Sequence, residues 1–189
     1  VRTATAPTVD GKLDDAAWAQ APVITTFTQR DPQEGAPASE STEVWIVYDS
    51  EAVYVGARLH DRSPVTTRLG RRDMQSSASD WFRVSLDSYH DRRTAFRFEV
   101  NPSGVRRDQT MGAAQGGSGG SGTATGGTGG GGGGVQTQTV GGPDGDLAWD
   151  AVWDAATTTD GDGWTAEMRI PFSQLRFGSA DDQVWGLQL

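Results

Sequence analysis

Two tryptophans stand out of phase with the apolar stripes beside them. Trp81 precedes the stripe Phe82, Val84 and Leu86, and Trp45 falls between Val44 and Ile46. Trp149 opens a strand-like run next to a loop, and Tyr89 lies in a polar turn. In a strand, alternate side chains point to opposite faces, so a ring out of phase with the core faces away from it. Trp81, Trp45, Trp149 and Tyr89 are therefore the candidate ligand-binding residues. Flat outward rings of this kind stack on an apolar ligand face or cover another protein. The other four tryptophans, Trp18, Trp153, Trp164 and Trp185, sit among small and apolar neighbours and are expected in the core.

Catalytic chemistry has a weak basis. His60 and His90 are the only histidines, and neither belongs to a recognisable motif. There is no Gly-x-Ser-x-Gly, His-Glu-x-x-His or P-loop pattern. With no cysteine, thiol nucleophiles, disulfides and cysteine metal sites are excluded. The chain is expected to be non-catalytic. Carboxylates at Asp10, Asp14, Asp15, Asp49, Asp61, Asp73, Asp80, Asp87 and Asp91 leave calcium as the one cofactor to consider. They do not form an EF-hand loop.

The formal net charge is −9, which disfavours nucleic acid as a partner. Lys12 is the only lysine, and three arginine pairs (Arg71-Arg72, Arg92-Arg93 and Arg106-Arg107) stand out against the acidic background. No apolar run approaches the roughly 18 residues a membrane-spanning helix requires.

The elements that must position these groups are mostly strands. Residues 10–21 read as a short helical turn capped by Asp10, with Leu13, Ala17 and Trp18 on one face. Residues 23–29 read as a first strand, and residues 30–41 as a polar loop. From Thr42 the period becomes two, and Asp49-Ser50-Glu51 joins 42–48 and 52–59 as a hairpin. Further strands are expected at 80–87, 94–100, 105–110, 149–157, 163–170 and 184–189, with a turn begun by Pro171. Many short strands with frequent turn residues predict an all-β, two-sheet antiparallel sandwich. Residues 112–134 hold 14 glycines. They read as a Gly-rich loop inserted within a single domain spanning 1–189, because strand-like segments flank them on both sides.

A family resemblance adds to this. Val9-Asp10-Gly11-Lys12-Leu13-Asp14-Asp15-Ala16-Ala17-Trp18, followed by Thr42-Glu43-Val44-Trp45-Ile46-Val47-Tyr48-Asp49, resembles the opening of carbohydrate-binding module family 9 domains. The later landmarks Asp80-Trp81-Phe82-Arg83-Val84-Ser85-Leu86-Asp87, Asn101-Pro102-Ser103-Gly104 and Gly163-Trp164-Thr165-Ala166-Glu167-Met168-Arg169-Ile170-Pro171-Phe172 follow in order. The nearest variant is the one that precedes outer-membrane β-barrels in bacterial envelope proteins. The resemblance implies a β-sandwich, a saccharide ligand stacked on aromatic rings, calcium support for loops, and a periplasmic or extracellular location. A rival expectation is an accessory structural subunit docked on a larger membrane complex (respiratory, photosynthetic or export). The bare backbone of the glycine tract and the missing catalytic groups motivate it.

Overall fold

The computed structural model describes residues 1–75, 77–112, 146 and 148–189. Almost all of the glycine tract lies outside the described residues.

Two four-stranded antiparallel sheets face each other. The first has the order β1-β2-β7-β6, from β1 (Thr42–Tyr48), β2 (Ala52–His60), β7 (Gly163–Pro171) and β6 (Asp154–Asp160). The second has the order β5-β4-β3-β8, from β5 (Arg106–Met111), β4 (Ala95–Val100), β3 (Phe82–Asp87) and β8 (Gly186–Gln188). Strands from before and after the glycine tract pair in both sheets, as β2 with β7 and β3 with β8. The sandwich expected from the alternating pattern is the observed fold.

The alternation explains the core. Val53, Val55 and Ala57 on β2 meet Phe82, Val84 and Leu86 on β3 and Phe96, Phe98 and Val100 on β4. Trp153, Trp164, Met168 and Ile170 complete this layer. Fully burying a side chain of this size stabilises the fold by about 1.5–3 kcal/mol.

The first sheet also buries its outer face. Ala17, Trp18, Val47, Ala52 and Tyr54 form a second cluster, with Leu13, Ala21 and Trp45 packed against it. The N-terminal segment lies so close to β2 that a Cβ on Gly56 would stand 2.7 Å from Leu13 Cδ2 and 3.3 Å from the Trp18 ring. Glu167, level with Gly56 on β7 and 0% exposed, anchors that segment. Its carboxylate accepts the backbone N–H of Asp10 at 2.9 Å, the N–H of Gly11 at 2.8 Å and Trp18 Nε1 at 2.9 Å. Burial raises the Glu167 carboxyl above its ordinary value, and these donors pull against that shift.

Three sequence expectations are corrected. The helical turn shrinks to a 3-10 turn at Trp18–Gln20, and Asp10 accepts the Lys12 N–H instead of capping it. Residues 23–29 form no strand. Ile24 bridges Val44 of β1, Thr28 bridges Pro37 of the following loop, and Ile24 and Phe27 pack against the core. Residues 149–153 join no sheet ladder, and the strand begins only at Asp154. Side chains replace the missing ladder there. Asp108 accepts the Ala151 N–H at 2.7 Å, and Gln174 accepts the Val152 N–H at 2.9 Å. Arg72 donates to the Ala151 carbonyl at 2.5 Å, and Arg106 donates to that of Trp153.

Glu167→Gln places an amide N–H against donors that now meet a carboxylate. It should destabilise the domain by about 1–3 kcal/mol in urea unfolding, with the loss centred on the N-terminal segment. At the sheet margin, Arg58 donates to both Asp160 oxygens at 2.7 and 2.8 Å and pulls that carboxyl down to about 2. A depressed folded value means the ionised pair favours the fold above the ordinary value of 3.8. That contribution fades as pH falls through about 2. Arg58→Met should return Asp160 toward 3.8 in an NMR titration.

Candidate functional site

One end of the sandwich gathers aromatic rings around a cleft. Its construction starts at the β1–β2 turn, where Asp49 accepts the N–H groups of Glu51 at 2.7 Å and Ala52 at 2.9 Å. The Tyr54 hydroxyl donates to its other oxygen at 2.9 Å. Burial opposes the charged form of Asp49, but these donors outweigh it and hold the carboxyl below its ordinary value. The Glu51 carbonyl then accepts the Phe172 N–H at 2.8 Å, tying the end of β7 to this turn. A 3-10 turn follows at Phe172–Gln174, as expected after Pro171, and buried Leu175 pins it. Ser88, in the β3–β4 turn, donates its hydroxyl to the Arg176 carbonyl and fixes the next residues.

Phe177 is thereby laid against two other rings. The Phe172–Phe177, Phe172–Trp185 and Phe177–Trp185 centroids are 6.3, 5.9 and 5.5 Å apart. The first two pairs are edge-to-face, at 75° and 83°. With Tyr48, Asp181 and Asp182 these rings line a cleft of about 550 Å³. Tyr48 is 43% and Phe177 41% exposed, so apolar ring surface faces solvent beside carboxylates. Such a surface stacks on the apolar face of a small ring and accepts hydrogen bonds from hydroxyls at its margin.

The sequence-predicted residues are not gathered in this cleft. Trp45 lies on the outer face of the first sheet, half-buried against the cluster under the N-terminal segment. Trp149 lies against the main core, with its ring 5.1 Å from Phe96 and 5.7 Å from Phe98. Trp81 stands at the head of β3, and the Arg107 guanidinium lies 5.1 Å from its ring centroid. Arg107 belongs to a charged strip on the outer face of the second sheet, where Arg83 and Arg107 both donate to fully buried Glu99. Tyr89 is 51% exposed, in the same turn as Ser88.

The cleft residues escaped the sequence reading because their phase points inward. Tyr48 shares the Val44–Ile46 stripe, and Trp185 was expected to be buried. Trp185 is only half-buried, since the sheets end at this level and leave its ring edge open. The usable signal was the run of Phe172, Phe177 and Trp185 within a loop-rich segment.

Among the described residues, no three His, Asp or Glu side chains converge as a metal site. The carboxylates considered for it instead hold local backbone: Asp15 the Thr8 N–H, Asp61 that of Ser63 and Asp80 that of Thr66.

Comparison with known proteins follows from this geometry. The family model described as carbohydrate family 9 binding domain-like matches residues 9–189. Two similar solved structures are a family 9 carbohydrate-binding module from Caldicellulosiruptor kristjanssonii in complex with cellotriose and one in complex with glucose. The first has a TM-score of 0.59 at 18% identity, covering 99% of this chain and 72% of that one. The second has a TM-score of 0.58 at 17% identity, covering 99% and 74%. At such identities the likeness is one of fold. No curated protein matches the chain. With the model matching all but the first eight residues, the chain belongs to the carbohydrate family 9 binding domain-like family.

Proposed function

We propose that this domain is a non-catalytic saccharide-binding module of a bacterial cell envelope, and that the sugar seats in the cleft walled by Phe172, Phe177, Trp185 and Tyr48. One observation carries the reading. Three rings brace one another at an open end of the sandwich, with exposed ring surface next to Asp181 and Asp182. The sugars held by the two solved relatives support the ligand class. The rival expectation, a subunit docked on a membrane complex, gains no support from those relatives.

The physical account is short. A pyranose has apolar C–H faces and a polar hydroxyl rim. Mutually packed rings lose little freedom on binding, because their neighbours already hold them. The carboxylates at the margin accept hydrogen bonds from hydroxyls and set orientation. Binding needs no proton transfer, which fits a cleft without histidine among its lining residues.

Titration calorimetry with cellotriose and glucose tests the proposal. Phe177→Ala and Tyr48→Ala remove exposed rings and should leave the fold intact. Each should weaken binding by about tenfold, equivalent to about 1.4 kcal/mol. Unchanged affinity in both variants would remove the cleft, and a loss confined to Trp81→Ala would move the site to the outer face of the second sheet. Silence of the folded wild-type domain toward both sugars would overturn the saccharide reading.

A further inference from the structure

The three arginine pairs have different fates in the fold. Arg72 reaches inward, donating to Asp108 at 2.5 Å and pairing with Asp150 at 2.9 Å. Arg106 donates to the Trp153 carbonyl, and Arg107 to Glu99. Arg92 and Arg93 differ. Among the described residues neither forms an ion pair, and both line an opening of about 270 Å³ beside the β3–β4 turn.

The turn that carries them is held by its own acids. Asp87 accepts the N–H groups of Asp91 at 3.1 Å and Arg92 at 2.7 Å. Asp91 accepts those of Arg93 and Thr94, both at 2.7 Å, and the Thr94 hydroxyl at 2.9 Å. These bonds stabilise His90 and Arg92 in the left-handed region, at φ of 52° and 57°. The two carboxylates of this turn, Asp87 and Asp91, are thus engaged with backbone donors. Ser85, which also lines the opening, accepts a hydrogen bond from Arg97 Nε at 3.4 Å. Gly186 and Gln188 of β8 close the far wall. The lining thus sets two guanidinium groups, Arg92 and Arg93, against the one carboxylate of Asp87, on a chain of net charge −9.

We propose that this opening is an oxyanion subsite, in which Arg92 and Arg93 take a carboxylate or sulfate carried by an acidic saccharide. The saccharide part rests on the preceding reading. The oxyanion part rests on the arginines alone. Planar guanidinium groups match the two oxygens of such an anion, and charge-assisted hydrogen bonds are the strong ones. The volume suits a charged substituent or a single ring, not a chain of sugars. Trp185 lines the cleft, while the next residue, Gly186, lines the opening.

Calorimetry with glucuronate against glucose, and NMR of the arginine side chains with sodium sulfate, test this on the wild type and the Arg92→Gln/Arg93→Gln variant. Glutamine keeps the turn backbone, and neither arginine side chain holds the fold. Glucuronate should bind about tenfold tighter than glucose, and the preference should shrink as salt is raised to roughly 0.5 M. It should vanish in the double variant with glucose affinity unchanged. Equal affinities in the wild type, or a preference that survives the double variant, would overturn the proposal. If sulfate shifts the Arg92 and Arg93 signals while neither sugar binds, the oxyanion subsite stands and the saccharide reading falls. If sulfate shifts nothing and glucuronate does not bind, the subsite falls.

Discussion

The first sheet is apolar on both faces, and the rest of the structure follows from covering it. Residues 52–57 of β2 are all buried. One face meets the second sheet, as in any sandwich. The other has no third sheet to meet, so the irregular N-terminal segment must serve as its lid. A segment without a ladder cannot satisfy its own backbone. Glu167 solves this from within the sheet, presenting a carboxylate to two backbone N–H groups and the Trp18 indole at once. The same covered sheet ends in the β1–β2 turn, so the lid also steadies the floor of the aromatic cleft.

The second sheet divides its faces differently. Its inner side carries Phe82, Val84, Leu86, Phe96, Phe98 and Val100. Its outer side carries arginines and buried acids, with Glu99 bridging Arg83 and Arg107 across neighbouring strands. A buried carboxylate left without these partners would be strongly unfavourable, so the three residues act as a unit. The structure therefore separates two kinds of surface. Apolar rings crowd the open end between the sheets, and fixed positive charge gathers on the outer face.

Much of this was legible in the sequence. The alternation at 44–48, 82–86 and 96–100 reports directly which side chains enter the core, because a strand has only two faces. The first strand pair, the sandwich class and the turn after Pro171 follow from it. Residues 149–153 were misread for a physical reason. Their composition suits a strand, but their backbone partners are the side chains of Asp108, Gln174, Arg72 and Arg106. Partners that distant leave no local trace. The cleft was hidden by a similar effect. Phase assigns Tyr48 and Trp185 to the inward side, and only the length of the opposite sheet decides whether inward means enclosed.

Among the described residues, Asp146 is held against the second sheet at β5. Thr110 and Asp146 exchange backbone hydrogen bonds of 3.2 and 2.8 Å. This clasp fixes Asp146 against β5, so the second half of the chain sets out toward β6 and β7 from a defined point on the second sheet.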